Sequence, residues 1–321
     1  MVILLGASGY IGQAFSAELK RRQIPLLPLS RAELDYTNFR ALLQFLQSRK
    51  PAFLINAAGH TGRPNVDACE DQKAETLNGN TLLPLTIAHA CGAAGVPWGH
   101  ISSGCIFSGA KVQGDHSWVV ERDLNTPPLR KLFTAAPERF RGFDENDPAN
   151  FSFRNPPCSF YSGTKALAEE ALSALGGAYL WRLRIPFDEF DNSRNYISKL
   201  LRYPRIYDNI NSLSHRADFA SACLDLWQGR APMGIYNVTN PGAVSARDVI
   251  QLVQEILNPN RKFEFWADDE EFYRLGAKTP RSNCILASDK LVSAGVKMRP
   301  VREALGRALE AWKPESAQSK K

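Results

Sequence analysis

The sequence predicts an α/β protein built on a doubly wound parallel sheet. Its N-terminal part alternates short apolar runs, which fit buried strands, with stretches of helical periodicity. These segments follow one another in the order 2–5, 11–19, 24–29, 42–47, 52–57, 82–91 and 98–102. Strands that alternate with helices form parallel βαβ units, whose ligands bind at the carboxyl ends of the strands. Functional residues are therefore expected just after the strands.

The composition disfavours several classes of protein. Apolar residues make up 44% of the 321 residues and charged residues 22%, which is typical of a folded globular chain. No stretch approaches the ~20 apolar residues of a membrane-spanning helix. No signal peptide is recognised, so we expect a cytoplasmic protein without membrane contact.

Charge, cysteines and histidines narrow the possible partners. The formal charge of +6 is spread along the chain, which disfavours nucleic-acid binding but suits a small anionic substrate. The six cysteines are scattered and the five histidines show no ligand spacing. Free thiols and no metal site are therefore expected.

A glycine-rich segment, Gly6-Ala7-Ser8-Gly9-Tyr10-Ile11-Gly12, follows the first strand and opens the first helix. The first glycine permits a tight turn, the second lets the backbone approach a pyrophosphate, and the third lets the helix pack on the strand. Free N–H groups at the helix N-terminus then bind the pyrophosphate. The segment predicts a dinucleotide-binding Rossmann domain with cofactor contacts from Gly6, Ser8, Gly9, Tyr10, Ile11 and Gly12.

The residues after the second strand indicate which dinucleotide binds. NAD enzymes usually carry an acidic residue there, which bonds the ribose 2′-hydroxyl. This chain has Ser30 and Arg31 instead, and a hydroxyl beside a guanidinium suits a 2′-phosphate. We therefore predict NADP(H), with Asp35 and Tyr36 on the adenine side. The alternative is that Arg31 only faces solvent at a helix start.

Tyr161 and Lys165 are four residues apart, so on a helix they share one face. A cationic lysine beside a tyrosine stabilises the phenolate and lowers its pKa from ~10. The tyrosine then exchanges a proton with a substrate oxygen while a hydride moves. Ser102 and Ser103 end an apolar strand, where a hydroxyl supports a substrate carbonyl. These residues predict a catalytic group for carbonyl reduction.

Together with the glycine segment, this order of residues resembles the short-chain dehydrogenase/reductase superfamily. Further segments are similar to its extended members that act on nucleotide-linked sugars, the dTDP-4-dehydrorhamnose reductases and the bifunctional 3,5-epimerase/4-reductases. They are INAAG at 55–59, TGRPNVD at 61–67, GCIF at 104–107, FYSGTKA at 160–166, RLRIP at 182–186, NPG at 240–242 and PRSN at 280–283. The resemblance runs to about residue 300, except across residues 110–157.

The resemblance implies NADPH-dependent reduction of the 4-keto group of a nucleotide-diphosphate sugar. It implies cofactor contacts from Lys165 and from Asn56, Ala57 and Ala58. The candidates for binding the sugar nucleotide are Thr61, Arg63, Asn65, Asn195 and Arg281. Guanidinium groups match phosphate oxygens bidentately, so the two arginines are the candidates for the diphosphate.

The bifunctional enzymes further imply an epimerase step with Cys105 and Lys199 as acid and base. The C3 and C5 protons of a 4-keto sugar are acidic because their loss gives an enolate at O4, whose charge Ser103 and Tyr161 would hold. A packed thiol at Cys105 and a surface amine at Lys199 are the alternatives. The chain would then be a reductase only. A third possibility is a non-catalytic, NADP-binding regulatory protein.

The same resemblance suggests two domains. Residues 1–185 plus about 205–237 form the NADP-binding domain, and about 186–204 plus 238–321 form a smaller, discontinuous C-terminal substrate domain. Residues 110–157 show neither helical nor strand periodicity, so we expect a long irregular insertion there. By analogy with the family, helices at 82–91 and 161–175 pair in a homodimer.

Overall fold

The structure is a computed structural model that describes residues 1–314, so residues 315–321 of the predicted substrate domain lie outside the described part. Its strands are β1 (Val2–Leu5), β2 (Leu26–Leu29), β3 (Phe53–Asn56), β4 (Trp98–Ser103), β5 (Ala110–Gln113), β6 (Trp118–Glu121), β7 (Phe140–Arg141), β8 (Ala178–Leu183), β9 (Pro186–Phe187), β10 (Ile210–Asn211), β11 (Ser214–His215), β12 (Gly234–Asn237) and β13 (Val244–Ser245). Its α-helices are α1 (Tyr10–Arg21), α2 (Phe39–Arg49), α3 (Ala68–Asp71), α4 (Lys73–Leu77), α5 (Leu83–Ala94), α6 (Pro127–Ala135), α7 (Phe160–Leu175), α8 (Tyr196–Arg202), α9 (Arg216–Gln228), α10 (Ala246–Ile256), α11 (Asp269–Leu275), α12 (Asp289–Ser293) and α13 (Val301–Glu310). A π-helical turn, Asn78–Leu82, joins α4 to α5.

The central sheet has six parallel strands in the order β12-β8-β4-β3-β1-β2. The chain moves outward from β1 to β2 and then returns to the other side of β1 to form β3. The carboxyl ends of β1 and β3 therefore flank the topological switch point, where doubly wound sheets bind their ligands. The predicted fold class is confirmed.

Alternate residues of the strands pack into separate cores on the two faces of the sheet. Val2 and Leu4 of β1 lie in one core with Trp181 of β8, covered by α1 and α9. Ile3 and Leu5 lie in the other core, covered by α2 and α5. Because both faces are covered, β1 is apolar at every position, which explains the continuous apolar run in the sequence.

A third core lies in the C-terminal part of the chain. It joins Phe187 of β9, Ile197 of α8, Val249 of α10 and Leu305 of α13. Ile206 and Leu213, which the sequence analysis placed in the NADP-binding domain, also pack there. The domain boundaries remain a prediction.

The insertion at residues 110–157 contains regular structure that its sequence does not reveal. β5 pairs with β6 and β7 in an antiparallel three-stranded sheet, and α6 lies between β6 and β7 in the chain. The ring of Phe143 stacks on Phe107 with centroids 4.7 Å apart. Bridges from Gly109 to Cys284 and from Phe143 to Leu286 tie the insertion to the C-terminal part. Strands of two to four residues are too short to show periodicity in a sequence.

Membrane contact was not expected from the sequence. Within residues 1–314, no helix combines the length and the apolar character needed to cross a bilayer.

Candidate functional site

The glycine segment forms a turn at the switch point of the sheet. Gly9 caps α1 without a side chain, and its N–H donates to the carbonyl of Gly6 at 3.0 Å. Gly6 has a φ of +74°, and a Cβ there would lie 2.6 Å from the backbone nitrogen of Ala58. A Cβ on Gly12 would lie 2.0 Å from the Gly6 carbonyl oxygen. The first turn of α1 holds no acidic residue, so this cradle fits an anionic pyrophosphate.

Three other predicted cofactor residues lie around this turn. Ser8 is exposed, and Ile11 is half-buried in the first turn of α1. The hydroxyl of Tyr10 donates to Asp188 at 2.8 Å. The glycine turn is thereby linked to the segment that leads into the C-terminal part of the chain.

The end of β3 forms the opposite wall of the cradle. Asn56 accepts a hydrogen bond from the Ala58 backbone at 3.0 Å, and the backbone of Ala57 donates to Leu5 at 3.0 Å. The Asn56 amide also lies 3.0 Å from His100 Nδ1. Burial lowers the pKa of His100 well below its usual value, so the ring is neutral and accepts from that amide. His100 was not among the functional residues predicted from the sequence.

The end of β2 carries the residues that would select the dinucleotide. Arg31 is exposed. Ser30 donates from its hydroxyl to Glu33 at 2.7 Å, so a carboxylate lies beside the predicted 2′-phosphate position. Asp35 is exposed and bonds Thr37, whereas Tyr36 is 5% exposed and packs in the core under α2. Tyr36 thus fits a packing role better than an adenine contact.

Three of the predicted catalytic residues, Ser103, Tyr161 and Lys165, lie at the carboxyl end of β4. Ser159 caps α7 by accepting from the backbone of Ser162 at 3.1 Å, which begins the helix just before Tyr161. Tyr161 and Lys165 are buried on the face of α7 that meets β4. The Lys165 ammonium donates to the carbonyl of Ile101 at 3.1 Å, two residues before Ser103.

Burial sets the charge of this group of residues. Desolvation lowers the pKa of Lys165 to about 8. The lowered pKa expected for Tyr161 is wrong, because burial raises the pKa of Tyr161 above its usual value, and only a hydrogen bond with Ser103 and the charge of Arg184 oppose that change. At neutral pH Tyr161 is therefore a phenol that carries a proton to donate, beside an ammonium.

Cys105 follows Ser103 in a short 3₁₀ turn, Gly104–Ile106. Its backbone N–H donates to the Ser103 hydroxyl at 3.1 Å. Cys105 is partly exposed, and its sulfur lies 3.0 Å from Nη1 of Arg184. The predicted epimerase cysteine thus lies at the same strand end as the predicted reductase residues.

Lys199 lies in a cluster of cations. Burial, together with the charges of Arg194 and Arg281, lowers the pKa of Lys199. Arg194 donates to the backbone of Gly62 at 2.9 Å, and its own pKa is lowered by burial and by Arg63. Arg194 was not among the residues predicted from the sequence, although it lies next to the predicted substrate residue Asn195. The mutual lowering of these pKa values shows that nearby anions do not fully neutralise the cluster. The cluster therefore suits an anionic ligand.

The other predicted substrate residues have varied surroundings. Arg281 forms a bidentate ion pair with Asp67, at 2.6 and 2.7 Å. Thr61 is exposed, and Asn65 accepts from the Asp67 backbone at 2.8 Å. Asn195 is 0% exposed, caps α8 and donates to Asp188 and Phe190, so its amide is fully engaged within the protein.

In the part of the chain that the structure describes, no group of His, Cys, Asp and Glu side chains is arranged to hold a metal.

The fold and the site define the class of the protein as that of the extended short-chain dehydrogenase/reductases. Residues 1–131 match the family model described as the RmlD substrate binding domain. Over 267 residues the chain is 32% identical to the bifunctional dTDP-4-dehydrorhamnose 3,5-epimerase/dTDP-4-dehydrorhamnose reductase of Arabidopsis thaliana, covering 83% of this chain and 79% of that protein. The chain belongs to this family of rhamnose-pathway reductases.

A longer plant protein is also similar to the chain. A trifunctional UDP-glucose 4,6-dehydratase/UDP-4-keto-6-deoxy-D-glucose 3,5-epimerase/UDP-4-keto-L-rhamnose-reductase of Arabidopsis thaliana is 32% identical over 83% of this chain. The chain spans only 35% of its length.

Solved structures share the fold across nearly the whole chain. The L780 UDP-rhamnose synthase of Acanthamoeba polyphaga mimivirus gives a TM-score of 0.80 at 24% identity, over 97% of this chain and 98% of the other. The dTDP-4-dehydrorhamnose reductase of Bacillus anthracis, solved with NADP, gives 0.71 at 22% identity, over 97% of each chain.

Proposed function

We propose that the protein epimerises a nucleotide-linked 4-keto-6-deoxy sugar and then reduces its 4-keto group with NADPH, to give a nucleotide-rhamnose-type deoxysugar. The observation that carries the reduction is the meeting of Tyr161 and Lys165 with Ser103 at the carboxyl end of β4. The glycine cradle lies across β3 on the same edge of the sheet. A hydride donor and a proton donor would thus face one carbonyl.

The cradle supports the assignment of the cofactor. Gly6 and Gly12 let the turn and α1 pack closely on the ends of the strands, so that the N–H groups after Gly9 would bind the pyrophosphate. The exposed Arg31 would bind the 2′-phosphate, and Lys165 would bind the nicotinamide ribose. NADPH, when bound, supplies the hydride that reaches C4 of the sugar. The NADP complex of the Bacillus anthracis reductase is consistent with this assignment.

The residues at the end of β4 would stabilise and then protonate the negative charge that develops on the sugar O4. Ser103 donates a hydrogen bond to O4, and Tyr161 gives its proton as the oxygen becomes negative. The Lys165 ammonium lies one helical turn below Tyr161 and stabilises the phenolate that remains. Because burial raises the pKa of Tyr161, the proton stays on the phenol until O4 becomes more basic.

Cys105 and Lys199 would provide the epimerase step. Cys105 lies two residues from Ser103, close to where O4 would be held. Lys199 lies within the cation cluster, where burial favours transfer of its proton. The shared epimerase name of the Arabidopsis relatives supports this part of the proposal.

The cation cluster would bind the diphosphate. Arg63, Arg194 and Lys199 have no carboxylate hydrogen-bond partner within residues 1–314, whereas Arg281 is neutralised by Asp67. We therefore assign the diphosphate mainly to Arg63 and Arg194, with Arg281 holding the Gly62–Asp67 loop against the C-terminal part.

The protein would act as a homodimer through α5 and α7. Leu82, Leu167 and Leu175 are large apolar side chains at or beside these helices that remain 42–52% exposed. Burial of such side chains in a four-helix interface would stabilise a dimer. Analytical ultracentrifugation tests this expectation.

Mass spectrometry of the product tests the proposal. UDP- and dTDP-4-keto-6-deoxyglucose are incubated with the protein and NADPH, and a gain of two hydrogens with NADPH consumption is expected from at least one of them. In a second reaction, without NADPH and in D₂O, the 4-keto sugar should gain deuterium at C3 and C5. Reduction of an already epimerised sugar without any exchange would indicate a reductase only, and bound NADPH without turnover a regulatory protein.

A further inference from the structure

Asp188 is a buried carboxylate that contacts side chains from three elements of the fold. It is 1% exposed and follows β9 directly. Because β9 pairs in parallel with β11, Asp188 comes beside Arg216, the first residue of α9, and the two form an ion pair at 2.7 Å. A buried carboxylate needs such partners, since burial of an unpaired charge is unfavourable. Asp188 was not among the functional residues predicted from the sequence.

Tyr10 joins Asp188 to the glycine turn. It is the first residue of α1, directly after Gly9, and its hydroxyl donates to Oδ1 of Asp188 at 2.8 Å. Burial and the charge of Asp188 raise the pKa of Tyr10, so the hydroxyl keeps the proton that it donates. Arg216 donates to the carbonyl of Tyr10 at 3.1 Å, and its guanidinium carbon lies 4.5 Å from the centre of the Tyr10 ring. The glycine turn is thus held to the Asp188–Arg216 pair through both the side chain and the backbone of Tyr10.

Asn195 joins the same carboxylate to the start of α8. Its amide nitrogen donates to Oδ1 and to the backbone carbonyl of Asp188, each at 2.8 Å. Its side-chain oxygen accepts from the backbone of Ile197 at 3.0 Å and thereby caps α8. Arg194 directly precedes this cap and Lys199 lies within α8, and both belong to the cation cluster. The position of Asp188 therefore bears on the position of these cations.

One oxygen atom of Asp188 is shared by the two sites. Tyr10 and Asn195 both donate to Oδ1, so a displacement of either donor changes the acceptor that the other one meets. Bound pyrophosphate would fix the glycine turn, and Tyr10 would then hold Asp188 and the cap of α8 in one geometry. A second ligand that needs the same geometry would bind without the loss of entropy that accompanies its ordering.

We propose that Asp188 couples the cofactor site to the sugar-nucleotide site, so that each ligand binds more tightly when the other is present. The sugar-nucleotide half rests on the proposed function, which assigns the diphosphate to the cation cluster. Asp188 is a positioning residue in this scheme, since it acts through Tyr10 and Asn195. Linkage requires the effect to be reciprocal, so both affinities must change by the same factor.

Isothermal titration calorimetry of UDP and dTDP, with and without NADP⁺, measures this factor. In the parent we expect saturating NADP⁺ to tighten binding of at least one nucleoside diphosphate by ~5-fold or more. Tyr10→Phe keeps the ring but removes the hydroxyl that meets Asp188, so the factor should fall below ~2-fold. The parental factor in Tyr10→Phe, or no coupling in the parent, would overturn the proposal.

Tyr236→Phe is the matched control. The hydroxyl of Tyr236, in the edge strand β12, donates to the carbonyl of Pro232 at 2.7 Å, and the side chain is buried. This variant therefore loses one tyrosine hydrogen bond that belongs to neither site, and it should keep the parental factor. An equal loss of coupling in Tyr236→Phe would show that the effect is not specific to Asp188.

Asn195→Ser breaks the contact at the other end of the link. Serine is also a good cap for α8 but lacks the amide that donates to Asp188. The glycine turn is unchanged in this variant, so a lost coupling factor would not reflect a damaged cofactor site. Asn195→Ser should lower the factor as Tyr10→Phe does, and it decides the question even if Tyr10→Phe binds NADP⁺ too weakly to measure. The parental factor in Asn195→Ser would overturn the proposal.

Amide hydrogen exchange tests the link without any nucleoside diphosphate. Saturating NADP⁺ should slow exchange in α8 of the parent by ~3-fold or more, whereas in Tyr10→Phe the slowing should be confined to the glycine turn. Equal slowing of α8 in both proteins, or none in the parent, would overturn the proposal. Slowing of α8 in a parent that binds neither UDP nor dTDP would contradict the diphosphate assignment and leave the link through Asp188 standing. Binding of either nucleotide without that slowing would do the reverse.

Discussion

Arg182 and Glu169 form a buried ion pair that joins β8 to α7. Nη2 and Nε of Arg182 donate to the Glu169 carboxylate at 2.7 and 3.1 Å, and the two residues are 2% and 5% exposed. Ser102 of β4 donates to the same carboxylate at 2.6 Å. Because Glu169 lies one helical turn after Lys165, this pair fixes the helix of Tyr161 and Lys165 against the strand of Ser103.

Loss of the Glu169 charge should strongly destabilise the fold. Glu169→Gln leaves the Arg182 guanidinium buried without its counter-ion, so we expect the free energy of unfolding in urea to fall by ~3–5 kcal/mol. Glu170→Gln is the matched control, since Glu170 pairs with Arg154 in an exposed ion pair at 2.6 Å and should cost less than ~1 kcal/mol. Equal losses for the two variants would show that the buried pair has no special role.

Removal of the Tyr161 hydroxyl should abolish most of the reduction. Tyr161→Phe keeps the ring and the packing of α7 but has no proton to give to O4, so turnover should fall by ~10²-fold or more. Fluorescence titration with NADPH should show unchanged binding. Turnover close to that of the parent would mean that another group protonates O4.

The rate of reduction should fall in alkaline solution. Burial lowers the pKa of Lys165 to about 8, so its ammonium loses its proton as the pH rises through that value. The phenolate of Tyr161 then loses its stabilising cation, and kcat/KM should decrease about tenfold per pH unit above 8. Lys165→Arg retains a cation at these pH values, so its profile should stay flat to pH 10 even at a lower rate. A flat profile in the parent would contradict the role of the ammonium.

Two exposed side chains, Arg31 and Glu33, should have opposite effects on the affinity for NADPH. Arg31→Ala should weaken NADPH binding and leave NADH binding unchanged, because only NADPH carries the 2′-phosphate. Glu33 accepts from the hydroxyl and the backbone of Ser30, at 2.7 and 2.9 Å, and its charge opposes a phosphate there. Glu33→Gln should therefore tighten NADPH binding. Isothermal titration calorimetry measures both, and equal affinities of the parent for NADPH and NADH would refute the assignment of Arg31.

The sequence allows the sheet to be predicted because its signals are local. The apolar run of β1, the glycine turn and the helical spacing of Tyr161 and Lys165 each lie within one element or at one junction. Glu169 lies four residues after Lys165, so helical spacing alone could have placed its carboxylate on the same face of α7 as the Lys165 ammonium.

Other features depend on residues far apart in the chain. Arg184 meets Cys105 and Asn211 only because β8 lies beside β4, with β10 packed nearby. The pairing of Arg281 with Asp67 spans 214 positions, so the sequence suggested a free guanidinium where the structure has an ion pair. Spacing rules describe neighbours within one element, so they cannot reveal such charge pairing.

Substitution of the two predicted epimerase residues should separate the two reactions. Cys105→Ser should abolish deuterium incorporation at C3 or C5 in D₂O, because a serine hydroxyl exchanges protons with a carbon acid far less readily than a thiol does. Reduction of an already epimerised 4-keto sugar should continue, since Tyr161 and Lys165 are unchanged. Lys199→Ala should have the same effect, with a higher KM if the ammonium also binds the diphosphate. A variant that still reduces the epimerised sugar has an intact pocket, so its loss of exchange reflects the loss of proton transfer. If both variants still exchange the C3 and C5 protons at the parental rate, the protein is a reductase only.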